Sequence, residues 1–117
     1  MVAGQDNSPI IGIDLGTTNT CAAVWQGDGP VVVTSESGEV GFPSVVAKTS
    51  DGRLLSGLLA FRQAVTNPKH TIFGVKRLIG RPFDHPVLEE QIPTSPFEIV
   101  AGPRGDARVM LRDEMLP

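Results

Sequence analysis

The stretch that decides the fold is residues 10–25, which read IIGIDLGTTNTCAAVW. Residues 10–15 form an apolar run that is too short for a helix and rich in β-branched side chains, a composition typical of a strand. Gly16 and the polar residues after it have the composition of a turn, and a second run of small and apolar residues begins at Thr20. The pattern predicts a β-hairpin whose first strand carries Asp14 near its end.

The hairpin is the start of a longer antiparallel meander. A second turn at residues 27–30 leads into a short apolar strand at residues 31–33, so three consecutive strands are expected to pair in order. Residues 10–41 are therefore expected to form a first unit that contains the hairpin. Residues 1–9 are small and polar with nothing to bury, and we expect them to be a disordered tail.

Residues 42–117 mix strand and helix signals, which predicts a small α+β subdomain. Ser56 and Asp84 are the expected N-caps of its two helices. No element is expected at the C-terminal end. The expected elements are strands at residues 42–47, 53–55, 97–101 and 107–111, a helix at 57–66, one or two short helical turns within 71–80, and a helix at 84–91.

The composition excludes several classes of protein. The chain has 117 residues with 10 Lys and Arg against 13 Asp and Glu, a formal net charge of −3 that gives no strong field to attract nucleic acid or an anionic membrane. No segment approaches the ~20 consecutive apolar residues of a membrane helix. Cys21 is the single cysteine, so no disulfide can form within the chain. We expect a soluble cytoplasmic protein with neither nucleic acid nor membrane as a partner.

The end of the first strand has the chemistry of a magnesium–phosphate site. A carboxylate on an apolar strand, as expected for Asp14, needs a cation or hydrogen bonds to stabilise its charge, and Mg²⁺ held directly or through its waters is one such partner. Gly16 allows a tight turn whose N–H groups converge on an anion, and Thr17 and Thr18 add hydroxyl donors. The alternative is that Asp14 merely caps the turn with its own side chain.

Four segments, in order and spacing, resemble the N-terminal end of the DnaK-type heat-shock-seventy chaperones. They are IIGIDLGTTNTCAAV at residues 10–24, FPSVVA at 42–47, RQAVTNP at 62–68 and VKRLIGRPF at 75–83. The first segment alone is also similar to the start of sugar kinases and other actin-like ATPases, whereas the last is much more specific. The resemblance extends from Ile10 to about Leu116.

This resemblance implies an α/β fold of the ribonuclease-H-like, actin-like ATPase class, in which two lobes enclose an ATP cleft. Residues 10–41 would supply the first strands of lobe one, and residues 42–117 the small subdomain inserted after them. The resemblance also implies the site residues: Asp14 holds Mg²⁺ through water, Gly16, Thr17, Thr18 and Asn19 bind the phosphates of ATP or ADP, and Lys76 is the catalytic lysine near the γ-phosphate.

The implied function is that of an ATP-dependent molecular chaperone. Hydrolysis of ATP to ADP would drive the binding and release of unfolded polypeptides, with a J-domain co-chaperone and a nucleotide exchange factor as partners of the full-length protein. Because the family's second phosphate loop and peptide-binding domain fall beyond Pro117, we expect these 117 residues alone not to hydrolyse ATP. Two alternatives stay open: a fragment of a sugar kinase or another actin-like phosphotransferase, and a truncated stand-alone binding module without activity.

Overall fold

The structure is a computed structural model that describes residues 8–117, so most of the expected tail, residues 1–7, lies outside the described residues. Short 3₁₀ turns at Pro68–His70, Val75–Arg77 and Ile92–Thr94 connect the regular elements. In chain order these elements are β1 (Ile11–Leu15), β2 (Asn19–Gln26), β3 (Gly29–Val32), β4 (Phe42–Pro43), β5 (Val45–Lys48), β6 (Leu54–Ser56), α1 (Gly57–Arg62), β7 (Thr71–Phe73), α2 (Pro86–Gln91), β8 (Ile99–Ala101), β9 (Ala107–Leu111) and β10 (Glu114–Leu116).

The first sheet is the predicted antiparallel meander, with strand order β1-β2-β3. Its register pairs Leu15 with Thr20 at the end of the first hairpin, which confirms the hairpin prediction. The second turn is shorter than expected, since β3 begins at Gly29. The predicted strand at residues 42–47 is divided at Ser44: β4 pairs with the start of β2, and β5 continues into the second sheet.

The second sheet has the order β6-β5-β7, and α1 packs against β5. Val45, Ala47 and Ala60 form its small buried core, so the helix is held by its contact with the sheet. The helix predicted for residues 57–66 ends already at Arg62. Ser56 occupies the N-cap position as predicted, but its side chain makes no capping hydrogen bond.

The third sheet, in the order β10-β9-β8, covers the main hydrophobic core. The predicted hairpin of β8 and β9 is confirmed, with Ile99 opposite Val109. Strand β10 was not expected from the sequence. The turn before it contains Arg112 at φ 58°, a backbone conformation that is uncommon for residues other than glycine, so the sequence did not indicate a turn there. The core residues are Ile72, Leu78, Leu88, Phe97, Ile99, Val109 and Leu111.

Two further local predictions need correction. One helical turn lies within residues 71–80 as predicted, at Val75–Arg77, but the sequence did not predict strand β7 before it, in which Thr71 and Ile72 pair with β5 and are buried. The N-cap of α2 is His85 and not Asp84: the Nδ1 atom of His85 accepts a hydrogen bond of 3.2 Å from the N–H of Val87.

The first sheet projects from the rest of the molecule. The radius of gyration is 17.6 Å, against about 13 Å for a compact domain of this length. Between residues 8 and 41 only Thr20 is buried. The apolar strand that carries Asp14 is therefore not buried, because every residue of β1 is exposed. Among residues 8–117, none of the helices combines the length and the hydrophobicity needed to cross a bilayer.

Candidate functional site

The loop between β1 and β2, residues 16–18, is a tight turn that depends on glycine. The N–H of Gly16 donates a 3.0 Å hydrogen bond to the carbonyl oxygen of Asn19. A Cβ atom on Gly16 would lie 2.2 Å from that oxygen, so no other residue fits without opening the turn. We call residues 16–18 the β1–β2 loop.

The β1–β2 loop presents several donors that are not used elsewhere. Thr17 and Thr18 are exposed, and neither their hydroxyls nor their backbone N–H groups donate to another of the described residues. Two N–H groups and two O–H groups therefore lie at one end of the first sheet with free hydrogen-bonding capacity. Consecutive amides of this kind suit an anion such as a phosphate group.

Ser44 fastens this loop to the rest of the chain. Its Oγ donates a 2.8 Å hydrogen bond to the carbonyl oxygen of Gly16 and lies 2.8 Å from Oγ1 of Thr20, while its N–H donates to the carbonyl oxygen of Thr18 at 2.8 Å. Sequence reasoning missed this role of Ser44. The sequence carried no signal for it, because residues 42–47 read as one continuous strand and the break at Ser44 is seen only in the structure.

Lys76 contacts the same end of the sheet, at the residue before the β1–β2 loop. Its Nζ donates a 2.8 Å hydrogen bond to the carbonyl oxygen of Leu15, across 61 positions of sequence. Gly74, with φ at 64°, precedes the 3₁₀ turn Val75–Arg77, which contains Lys76. The structure thus brings together Lys76 and the β1–β2 loop.

Asp14 lies one residue before this lysine contact and pairs with Cys21 across the hairpin. Its carboxylate accepts no hydrogen bond from the described residues, so capping of the turn by Asp14 is not observed there. Within residues 8–117 no three His, Cys, Asp or Glu side chains converge as a metal site requires. A single exposed carboxylate fits a hydrated Mg²⁺ held through its water molecules better than one ligated directly.

The arrangement can therefore bind an anion. The ammonium group of Lys76 has three N–H donors, and the bond to Leu15 uses one of them. Together with the free donors of Thr17 and Thr18, it forms a partly positive surface around the turn. Asn19, the fourth residue expected to bind phosphate, begins β2, and its carbonyl oxygen closes the turn.

A family model described as "Hsp70 protein" matches residues 10–116. The matched region runs from the start of the first sheet to β10, so it includes the β1–β2 loop, Ser44 and Lys76.

Proposed function

The chain belongs to the Hsp70 family, and from this premise we propose that its β1–β2 loop binds the phosphates of ATP in the first lobe of an ATPase domain. The family supports a chaperone-type function and nucleotide binding in general. The finer proposal is that residues 10–41 are the first strands of lobe one of an actin-like fold, and residues 42–117 its inserted subdomain. The antiparallel meander and the mixed α/β architecture are compatible with this division.

The single observation that carries the proposal is the hydrogen bond between Lys76 and Leu15. It holds a cation from the subdomain beside a turn in which the amides and hydroxyls of Thr17 and Thr18 donate to none of the described residues, and these are the donors that a terminal phosphate needs. A fixed ammonium group stabilises charge that develops on a phosphoryl group during transfer. Lys76 can keep its bond to Leu15 and direct its remaining N–H donors to the phosphate.

The other residues have supporting roles in this proposal. Gly16, Thr17, Thr18 and Asn19 surround the phosphates, and Asp14 holds the water shell of Mg²⁺. When bound with ATP, Mg²⁺ neutralises part of the phosphate charge. ATP or ADP and Mg²⁺ are thus the proposed cofactors, and the exposed position of Asp14 leaves room for the intervening water molecules.

For the full-length protein we propose ATP-dependent binding and release of unfolded polypeptides in the cytoplasm, assisted by a J-domain co-chaperone and a nucleotide exchange factor. Hydrolysis is proposed for that protein and not for these 117 residues alone. The support is family membership together with the lysine contact at the loop.

The test is a titration of isotope-labelled chain with ATP and Mg²⁺, followed by the amide NMR signals of residues 14–20. We expect weak saturable binding, in the millimolar range, with the largest shifts at Thr17 and Thr18. Lys76→Ala should remove most of the effect, whereas Lys69→Ala, an exposed lysine of another 3₁₀ turn, should not. Equal shifts in wild type and Lys76→Ala, or shifts confined to other parts of the chain, would contradict the proposal.

A further inference from the structure

A half-open cavity of about 600 Å³ lies on the side of the β1–β2 loop that faces the subdomain. Thr17 and Thr18 form one wall, α1 and the residues after it another, and the start of β7 with the segment before β8 the third. This volume is within the range of cavities that bind small organic molecules. Lys76 is not among the residues that line the cavity.

Aromatic side chains shape the inner part of this cavity. The rings of Phe73 and Phe97 meet edge to face, with centroids 5.5 Å apart and an interplanar angle of 84°. Phe97 is buried and anchored in the main core, so this aromatic corner has a fixed position. Phe61 lines another part of the cavity although it is 58% exposed. Exposed rings around a concave space provide flat apolar surfaces on which another ring can pack.

Arg77 is the one charged residue among the described residues that line the cavity. Its guanidinium group makes no hydrogen bond and no ion pair within residues 8–117, although its carbonyl oxygen accepts a 2.8 Å bond from Arg81. A guanidinium group has donors in a planar fork that matches two oxygens of a phosphate group. The hydroxyls of Thr17 and Thr18 are further donors on the same cavity surface.

We propose that this cavity is a second ligand site, which binds a small aromatic phosphate monoester. The ring packs on Phe61 and Phe73, and the phosphate is held by Arg77 with the threonine hydroxyls. The site shares the hydroxyls of Thr17 and Thr18 with the proposed ATP site, but its cation is Arg77 and not Lys76, and its aromatic wall belongs to the cavity. A ligand of this class combines the two chemistries that the cavity offers, an apolar aromatic wall and one free cation.

The test uses 1-naphthyl phosphate as the probe and the complete 117-residue chain. Amide NMR titration should give saturable shifts around Phe73 and residues 94–97. Arg77→Ala should weaken binding about tenfold or more, since it removes charge-assisted hydrogen bonds. Phe61→Ala should weaken it by a smaller factor.

The side chains of Arg77 and Phe61 are both exposed, so both variants are expected to fold, and circular dichroism checks this. Arg104→Ala, at the exposed loop between β8 and β9, is the matched charge control.

Three outcomes would overturn the proposal. The first is equal affinity of wild type and Arg77→Ala. The second is equal binding of 1-naphthol, which would reduce the site to an apolar surface. The third is that Lys76→Ala weakens naphthyl phosphate binding as much as Arg77→Ala does. The phosphate would then lie in the proposed ATP site and not in the cavity. The two proposals can fail separately, because ATP binding is expected to depend on Lys76 and naphthyl phosphate binding on Arg77.

Discussion

Replacement of Ser44 by alanine tests how the β1–β2 loop is held. The change removes the 2.8 Å hydrogen bond to the carbonyl oxygen of Gly16 and the contact with Oγ1 of Thr20. Each such bond contributes about 0.5–1.5 kcal/mol net, and a buried group left without a partner costs about 1–3 kcal/mol. Thr20 is only 4% exposed, so water replaces the lost partner poorly. We expect Ser44→Ala to lower the free energy of unfolding of the first sheet by about 2 kcal/mol.

The assay is urea denaturation followed by tryptophan fluorescence. Trp25 is the only tryptophan of the chain and lies in β2, so its emission reports on the first sheet. Ser56→Ala is the matched control, because the Ser56 side chain makes no capping hydrogen bond. If the free energies of unfolding of Ser44→Ala and Ser56→Ala agree within about 0.5 kcal/mol, the Ser44 bonds do not stabilise the first sheet, since surface changes commonly have effects of that size.

Three further predictions concern the loop, the core and the pH dependence of stability. Gly16→Ala should lower the stability of the first sheet by about 1–3 kcal/mol in the same fluorescence assay, because the new Cβ atom would clash with the carbonyl oxygen of Asn19. Gly12→Ala is the control and should have no such effect, because a Cβ atom there has no neighbour within 4 Å. Leu88→Ala should cost about 2–5 kcal/mol by circular dichroism in urea, since the side chain is fully buried. Burial of His70, together with the nearby positive charges of Arg112 and Lys69, lowers its pKa in the folded chain. As the pH falls, His70 is therefore protonated in the unfolded chain before it is protonated in the folded chain. The free energy of unfolding should therefore fall as the pH drops below about 6.5, and His70→Gln should remove part of that slope; an identical slope in both proteins would contradict it.

The first hairpin could be predicted from the sequence because its signals are local. An apolar run, a glycine with polar neighbours and a second apolar run occur within residues 10–25, and the short loop between them fixes the pairing of Leu15 with Thr20. The same holds for β8 and β9. The first sheet also has the predicted order, because consecutive antiparallel strands joined by short turns pair with their neighbours.

The contacts that complete the candidate site could not be predicted in this way. Gly16 and Ser44 are 28 positions apart, and Leu15 and Lys76 are 61 apart, so no periodicity connects them. For Lys76 only the resemblance to a family indicated a role near the loop, and for Ser44 nothing did.

The local errors have a different cause. Residues 71–80 contain both helix and strand formers, and the pairing of β7 with β5 decides between them. At the start of α2 two adjacent residues could occupy the N-cap position. In the structure it is His85, whose imidazole accepts the capping hydrogen bond, and not Asp84. The turn before β10 is formed by Arg112 without glycine, so its sequence carries little sign of a hairpin.

The position of the β1–β2 loop is determined mainly by the subdomain, because both buried cores lie between residues 45 and 111. The first sheet contributes no apolar side chain to either core and is attached through β4, Ser44 and Lys76. These few hydrogen bonds together stabilise the attachment by only a few kcal/mol, much less than the free energy gained by burying the two cores. If a ligand binds the loop only when the first sheet is attached to the subdomain, its binding must also stabilise that attachment, because the coupling between the two equilibria is reciprocal. By the same reciprocity, a partner that separates the subdomain from the first sheet must weaken binding of that ligand.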